Sequence, residues 1–522
     1  MAACCSCLLI ALSLSLGVLS INNNGSRPYR PLGLGEGQIQ SQQLGRASLS
    51  RSTGGSSASE DEDRQGGEGN GHVQHFEGDT SFGLVEKRSV VEVSKFATET
   101  ADGTNNQTHA FEQALKECAE LSKQHGCVLV VPEGRWLTQP LRLPSRCTLR
   151  LLPGSVLVAP QVEDSWPTLP WMTHPLPPST GPKETFVGFV YTPPGTVGVI
   201  IEGGGTIDGG GGHWWHQKHS AHKVPHLVHL VGSKNVVVRD VTLINSPSWT
   251  VHPHMSEDVT VERIKIQNPP KDDHGTNGVV FDSCVRCVLR DSVVETGYKE
   301  DAVAVKSGED EHGLLANRPS RDILVERVTI KCGHAISVGS EMSGGVFNVT
   351  FRGIIFDGHH GKEGAAGSLR IKSARGRGGV VSGIVFENIR GHDALYGIEF
   401  YMYYSKDENR PPTNNATTTP VVKDIVVRDV QLKGIHREGF IIAGLPESPF
   451  ANLVFENVHL SGIDGDNWKC NKFKQCSYPG GGCATVASIV NVSPPPPKNC
   501  LLSAPPEGTN LSPAWVQAVQ HG

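Results

Sequence analysis

Residues 235–245 (NVVVRDVTLIN) and 258–268 (DVTVERIKIQN) decide the fold, because the same phrase returns along the chain. Each copy is a short apolar run, a polar corner and a second short apolar run, which predicts two strands joined at a bend. Six further copies follow, at residues 287–297, 322–333, 348–358, 383–391, 424–434 and 452–462. Neighbouring copies begin 23 to 41 residues apart, and a period of about 20–50 residues is typical of stacked repeats.

Strands of about five residues at every turn leave no room for the helices of a β/α barrel or a leucine-rich horseshoe. We therefore predict an all-β fold, a right-handed parallel β-helix whose coils bury Val, Ile and Leu. A β-sandwich and a propeller are the alternatives, and the irregular insertions favour the solenoid. Residues 109–122 (HAFEQALKECAELS) have the apolar spacing of a helix, which we expect to cap the open N-terminal end.

The composition indicates a turn-rich chain with no basic surface. The 522 residues include 60 Gly and 34 Pro, which argues against a helical bundle. Lys and Arg number 47 and Asp and Glu number 53, so the formal net charge at pH 7 is −6. Proteins that bind nucleic acids or membrane surfaces in bulk are usually basic, and we predict no nucleic-acid partner.

Both ends of the chain lie outside the repeats. Residues 1–20 are apolar and uncharged, which predicts a signal peptide, with a membrane anchor as the alternative. Residues 21–88 are rich in Gly, Ser, Gln and charge, which predicts a disordered arm. The β-helix domain should then span 89–465, followed by a Cys- and Pro-rich extension over 466–522.

Four cysteines crowd that extension: Cys470, Cys476, Cys483 and Cys500. In a secreted chain they predict one or two disulfides, and zinc is disfavoured because neither CxxC nor His-x₃₋₅-His spacing occurs there. We expect a secreted monomer, extracellular or in a cell wall, that keeps no contact with a membrane once the signal is removed. N-glycosylation sequons fit secretion, at Asn24, Asn106, Asn348, Asn415, Asn491 and Asn510.

Four polar segments follow predicted strands about one coil apart. They are 271–284 (KDDHGTNGVVFDSC), 296–308 (TGYKEDAVAVKSG), 331–345 (KCGHAISVGSEMSGG) and 367–379 (GSLRIKSARGRGG). Because the coils of a β-helix stack, polar side chains from successive coils can line one face. A face of this kind suits a long polymer lying in a groove.

With these segments the chain resembles glycoside hydrolase family 28, the polygalacturonase family, in its plant and bacterial branch. The resemblance runs from about residue 92 to 462 and includes GGTIDGGGGHWW (204–215), LINSPSWTVHP (243–253) and GSEMSGG (339–345). It implies a pectin-lyase-like right-handed β-helix and hydrolysis of galacturonan α-1,4 bonds with inversion. It implies no cofactor, and we see no acidic cluster that would hold calcium.

The family's site uses three aspartates, and the match here is partial. Its Asn-Thr-Asp phrase corresponds to residues 275–277, so Asn277 replaces a carboxylate. Its Gly-Asp-Asp phrase corresponds to residues 299–301, which hold Glu300 and Asp301. The resemblance implies that Glu300 is the acid and that Asp301 activates water. Asn277 can orient that water but cannot take its proton.

The remaining site residues are basic or aromatic. The family's Gly-His-Gly phrase supplies His334, which the resemblance makes a residue that tunes the acid. The Arg-Ile-Lys phrase is intact, and Arg370 and Lys372 are expected to hold a uronate carboxylate. Lys299 replaces a glycine; its charge would lower neighbouring carboxyl pKa values, and it could also bind an acidic sugar.

These residues predict a secreted glycosidase that hydrolyses pectin-type polysaccharide, an acidic substrate. A second reading is an inactive β-helix that binds acidic polysaccharide or serves structurally in a wall or matrix. The loss of the carboxylate at residue 277 favours this second reading, whereas the intact phrase at 370–372 fits both. A third reading is a rhamnogalacturonan-type hydrolase of the same family.

Overall fold

The computed structural model describes residues 88–162, 166–170, 184–215, 224–270, 275–358, 366–404, 417–469, 484–497 and 501. The proposed signal peptide, nearly all of the arm and the four C-terminal cysteines lie outside these residues. The predictions for those segments therefore stay predictions, as do the domain boundaries.

Most described strands form three parallel stacks, here named sheets A, B and C. Sheet A contains Ser89–Glu92, Cys127–Val131, Cys147–Leu151, Ile200–Glu202, Lys234–Arg239, Glu257–Glu262, Val285–Arg290, Ser320–Glu326, Val346–Arg352, Val380–Ala394, Val421–Ile435, Phe450–Ile463 and Ala484–Ser493. Sheet B contains Asp102–Asn106, Gly134–Leu137, Ser155–Val158, Thr206–Asp208, Thr242–Ile244, Lys265–Gln267, Val293–Glu295, Thr329–Cys332 and Ile355–Asp357. Sheet C contains Leu141–Arg142, Val190–Thr192, Val228–Val231, Val251–His254, Val279–Asp282, Asp301–Lys306, Ala335–Gly339, Leu369–Lys372, Ile398–Tyr401, Phe440–Ala443 and Trp468–Lys469.

Each sequence repeat forms one strand of sheet A, a corner and one strand of sheet B. The repeat 258–268, for example, supplies Glu257–Glu262 and Lys265–Gln267, and the chain then enters sheet C at Val279–Asp282. Every pairing within the three stacks is parallel and joins one coil to the next; from Val380–Ala394 onward, sheets A and B share continuous strands. This is the predicted parallel β-helix.

The polar corners are left-handed turns that stack into ladders. Asp240, Asp291 and Asn457 have φ of 55°, 52° and 53°, a region that Asn and Asp tolerate better than other side chains do. Side chains bond between coils there, since Arg263 Nε donates to Asp240 Oδ1 over 2.8 Å and Asn457 Nδ2 to Asp429 Oδ1 over 3.0 Å. The repeat therefore satisfies the polar groups of its own bends.

The interior of the coils is apolar and continuous. Phe351 and Phe386 are register partners in sheet A, and their rings stack with centroids 5.0 Å apart. Both side chains are fully buried, like most inward-facing residues of the three sheets. Burial of this kind stabilises the fold by about 25 cal/mol for each Å² of apolar surface removed from water.

Helix α1 (Thr108–Ser122) is the predicted N-terminal helix, and it begins one residue earlier than expected. Its apolar face joins the core through Ala110, Phe111, Ala114 and Cys118. The helix contacts Ser89–Glu92, the strand at the end of sheet A, so it covers that end as predicted. A disulfide between Cys118 and Cys127 ties it to sheet A, and the sequence pattern did not indicate this bond.

The other elements are short. They are helix α2 (Asp310–Ala316), 3₁₀ turns at Val93–Phe96 and Gly211–His213, and an antiparallel pair formed by Thr168–Pro170 and Glu184–Phe186. Among the described residues, none of the helices has the length and apolar character needed to cross a membrane.

Candidate active site

The outer face of sheet C carries the polar residues that the sequence singled out. Consecutive strands place Ser337, Arg370 and Glu399 in one row across the sheet. The neighbouring residue Ile371 points inward and is 1% exposed. Alternation along each strand thus separates a polar outer face from the core, as expected for a strand buried on one side.

Asp301 lies at the centre of this face, at the start of its strand, with its side chain 3% exposed. Its carboxylate accepts hydrogen bonds from Lys372 Nζ and Ser337 Oγ, each over 2.7 Å, and Arg370 Nη1 lies 3.7 Å away. Burial alone raises the pKa of this carboxyl, but the charges of Lys372, Arg370 and Lys306 outweigh burial and hold the pKa below its usual range. Asp301 is therefore ionised.

Asn277 and Glu300 meet beside Asp301, as the family phrases implied. The Asn277 side-chain oxygen accepts the backbone N–H of Asp301 over 2.9 Å. Glu300 Oε1 accepts the backbone N–H of Gly275 over 3.1 Å, and its side chain is half-buried. The two phrases thus hold each other in place, and the side-chain oxygen of Asn277 is already engaged by the backbone N–H of Asp301.

His334 reaches the same face from the next coil. Its backbone N–H donates to Glu300 O over 2.6 Å, and its ring stacks on Tyr396 with centroids 5.6 Å apart. Burial, followed by the charge of Arg370, lowers the pKa of the imidazole. The ring is therefore neutral at pH 7.

Glu399 is a site residue that sequence reasoning missed. Its Oε2 lies 3.0 Å from both His334 Nε2 and Ser368 Oγ, and 3.6 Å from Arg370 Nε. Burial raises the pKa of this carboxyl, but Arg370 and His334 lower it to about 2. Glu399 stands in register with Arg370, one coil further on, and no local sequence pattern indicates that pairing.

Arg370 and Lys372 are buried, with side chains 7% and 6% exposed. Arg370 hydrogen-bonds Tyr401, and Lys372 Nζ lies 4.8 Å from the centroid of the Tyr404 ring. Burial lowers the pKa of Lys372 to about 8; the charge of Asp301 opposes this shift, and repulsion from Arg370 and Lys306 adds to it. Both cations are thus positioned by acids and tyrosines of the protein itself.

Lys299 lies on the exposed side of the corner, with Nζ 5.3 Å from the centroid of the Tyr298 ring. The largest cationic effects on the pKa of Asp301 come instead from Lys372, Arg370 and Lys306. Contact between Lys299 and an acidic sugar stays a prediction.

A second ion pair, also missed, continues the polar face. Lys306 pairs with Glu341 and donates to Gly339 O over 3.3 Å. Gly339 has φ 91°, and a Cβ there would lie 2.0 Å from the carbonyl oxygen of Lys372, so only glycine permits this approach of the two coils. Lys306 and Glu341 fall within the polar segments 296–308 and 331–345, but those segments did not indicate that they pair.

Comparison with known proteins identifies the family of the chain. The sequence profile of glycosyl hydrolases family 28 matches residues 189–483. A probable polygalacturonase of Vitis vinifera is 30% identical over 78% of this chain and 80% of its own length, and an endo-polygalacturonase of Pectobacterium carotovorum subsp. carotovorum is 27% identical over 69% and 85%.

Solved structures support the fold. An exopolygalacturonase from Thermotoga maritima superposes with a TM-score of 0.63 over 77% of this chain and 91% of its own, at 23% identity. The predicted right-handed parallel β-helix and the family resemblance are both confirmed. The chain therefore belongs to glycosyl hydrolases family 28 and is a glycoside hydrolase.

Proposed function

We propose that this protein hydrolyses the α-1,4 galacturonide bonds of pectin-type polysaccharide, with inversion at the anomeric carbon. The observation that carries the proposal is the ionised Asp301, held by Lys372 and Ser337 on the outer face of sheet C beside Glu300. An inverting glycosidase needs one ionised carboxylate to activate water and one carboxylic acid to protonate the leaving oxygen.

Asp301 is the proposed base. Its carboxylate is fixed by three partners from two neighbouring coils, so it needs little reorganisation to hold a water molecule. Asn277, which already bonds the backbone of Asp301, is adjacent to that water and orients it. An amide cannot remove a proton, and the proton transfer therefore falls to Asp301 alone.

Glu300 is the proposed acid. Glu300 is more exposed than Asp301 and lies in the turn immediately before it. This position makes its side chain accessible to the oxygen of a bound glycosidic bond. His334 is tied to Glu300 through the backbone and to Glu399 through its ring. We assign it a positioning role, holding the corner that carries the acid.

The basic residues give the site its preference for an acidic sugar. Arg370 and Lys372 maintain the charge of Asp301 and place positive charge on the face that meets the substrate. Lys299, on the exposed side of the corner, supplies a further cation near the leaving group. A uronate carboxylate approaching this face would meet Arg370, Lys372 and Lys299 as its candidate cationic partners.

Release of reducing ends by the purified protein tests this function. Polygalacturonate and rhamnogalacturonan are compared as substrates for the wild type, Glu300→Gln and Asp301→Asn, with Glu311→Gln on the exposed surface of α2 as the matched control. We expect release from polygalacturonate, a loss of about 10² or more in each site variant, and no change in the control.

Other outcomes overturn the proposal in distinct ways. Release from rhamnogalacturonan alone selects the rhamnogalacturonan-type hydrolase. No release from either polymer, with binding retained, selects the inactive polysaccharide-binding β-helix, which the amide at 277 favours.

We further propose that the chain is secreted as a monomer after removal of residues 1–20. The disulfide between Cys118 and Cys127 supports an oxidising compartment. The mass and N-terminal sequence of protein recovered from the medium of expressing cells test cleavage after Ser20, and its sedimentation tests the monomer. Retention in the membrane fraction would select the anchor.

A further inference from the structure

Three histidines crowd the outer face of sheet C on coils that precede the proposed catalytic residues. His229 and His252 are register partners on neighbouring strands, with rings parallel to within 5° and centroids 4.9 Å apart. The His226 ring lies edge-on to both, at 4.9 Å and 4.6 Å. They take no part in the hydrolysis proposed above.

Two of these imidazoles are buried and have ring nitrogens without a hydrogen-bond partner. His229 is 8% and His252 is 2% exposed, and among the described residues no donor or acceptor meets His229 Nε2 or either ring nitrogen of His252. The Asp282 carboxylate stands 3.7 Å from His252 Nε2, which is longer than a hydrogen bond. A buried polar atom left unsatisfied costs about 1–3 kcal/mol, so a ligand would remove this cost.

Both buried rings are also in the state that binds metals. Burial lowers the pKa of His252 to about 3, and burial together with the neighbouring histidines holds the pKa of His229 well below its usual range. Neutral imidazole carries the lone pair that a metal ion requires.

We propose that His226, His229 and His252 form a site for one divalent transition-metal ion, with Zn²⁺ as the reference ligand. One donor atom from each residue lies within 4.8 Å of the other two. Zn–N bonds of about 2.0–2.1 Å place tetrahedral ligands roughly 3.3 Å apart, so small side-chain rotations bring the three into range. Three imidazoles leave the fourth position to water or to a carboxylate oxygen.

The surroundings fit such a site. A contact of 2.9 Å joins His226 Nδ1 to Ser248 Oγ, and Trp249 stacks on the His226 ring with centroids 5.2 Å apart. Partners of this kind fix the orientation of imidazoles that bind metals. His226 is also only half-buried, which provides an entry path from the solvent.

The sequence predicted no metal site, because its C-terminal cysteines lack zinc-ligand spacing and no acidic cluster would hold calcium. The three histidines come from separate segments, and only the stacking of two coils brings them together. A second grouping shares one member: donor atoms of His252, His254 and Asp282 also lie within 4.8 Å of one another. We favour the three-histidine site because Asp282 already accepts bonds from Gly308 N–H and Ser283 Oγ and contacts His254 Nδ1 at 3.2 Å.

The chain entering His226 is itself rich in histidine, with His216, His219 and His222 in the segment 216–223 outside the described residues. Such tracts bind metals by composition alone. The experiment is therefore made on the full chain with these three changed to Gln. Zn²⁺ is titrated by calorimetry, with the thermal unfolding temperature as a second readout.

We expect this starting variant, with His216, His219 and His222 changed to Gln, to bind one Zn²⁺ per chain and to unfold at a higher temperature when Zn²⁺ is present. Adding His229→Ala or His226→Ala should weaken binding at least 10-fold and remove the thermal shift. Adding His254→Ala, or His109→Gln on the exposed face of α1 as the matched control, should change neither. Unfolding temperatures without Zn²⁺ show whether each variant is folded, and His229→Gln replaces His229→Ala if it is not.

Any other pattern overturns the site. Failure of this starting variant to bind Zn²⁺ would show that His226, His229 and His252 do not form a metal site. Loss with His254→Ala but not with His229→Ala would place the ion at the second grouping. Equal binding by all variants would show that none of these imidazoles is a ligand.

Discussion

The amide of Asn277 is the single-residue departure from the family pattern with the largest chemical consequence. A carboxylate at this position would accept the Asp301 backbone N–H as Asn277 Oδ1 does now, and it could share the proton of the attacking water. We expect Asn277→Asp to raise kcat about 10-fold or more, since a positioned base contributes about 10²–10⁴. Asn277→Ala should lower kcat, and a lower kcat for the Asp variant would contradict the assignment.

We expect Lys372 to set the alkaline limit of activity. Its pKa of about 8 means that it loses its proton as the pH rises through that value, and Asp301 then loses its closest counter-charge. We expect kcat/KM of the wild type to fall above about pH 8. In Lys372→Arg, whose guanidinium stays charged, the fall should move up by at least one pH unit. An unchanged alkaline limb would show that another group controls it.

Glu399 links stability to pH. Its folded pKa of about 2 is below the ordinary 4.5, so its contribution is fully present above pH 4.5 and is lost as the pH falls toward 2. A difference of 2.5 pKa units corresponds to about 3 kcal/mol. Urea unfolding should show Glu399→Gln less stable than the wild type by about that amount at pH 7, and by about half as much at pH 3. Equal differences at both values would contradict the shift.

Single residues divide clearly into those that sequence could and could not indicate. Asp301, His334 and Arg370 stand in phrases of fixed spacing, and the structure brings them together. The role of Glu399 and the ion pair of Lys306 were not predicted, because the residues that they contact lie on other coils. The contact between His334 and Glu399, for instance, joins residues 65 apart in sequence, and no local pattern specifies which residue of a coil faces which.

At the scale of elements, the left-handed corners are the feature most open to test. Asn457 has φ 53°, donates to Asp429 and accepts from Asn491 over 2.9 Å. Asn457→Val would force a β-branched side chain into this region and break both bonds, at a cost of about 2–3 kcal/mol. Asn457→Gly keeps the backbone conformation and should cost about 1 kcal/mol. Chemical denaturation measures both, and equal losses would show that backbone conformation is irrelevant at this corner.

Elements with strong periodicity were predictable, whereas their covalent links were not. The repeats gave the strands of sheets A and B and the corner between them, and apolar spacing gave α1 to within one residue. The bond between Cys118 and Cys127 could not be inferred, because a helical position and a strand position carry no common pattern. Only the packing of α1 on sheet A brings their Cα atoms to 5.4 Å.

At the scale of the whole molecule, stacking of coils creates the site. Asp301 and Lys372 are 71 residues apart in sequence, and their ion pair of 2.7 Å exists because the one strand between theirs, Ala335–Gly339, keeps both in a fixed register. The class of fold was predictable from the repeat alone, since each coil needs its neighbours to bury its apolar face. The face proposed for catalysis needed the family phrases as well, because the repeat contains strands of sheets A and B and none of sheet C.

Inversion is the outcome expected when Asp301 activates water and does not bond to the sugar. The most direct measurement is proton NMR of galacturonan oligomers during the first minutes of hydrolysis, before the anomers of the product equilibrate. We predict that the new reducing ends appear first as the β-anomer and convert slowly to the mixture. Reducing ends that appear first as the α-anomer would contradict the assignment of Asp301 as the base.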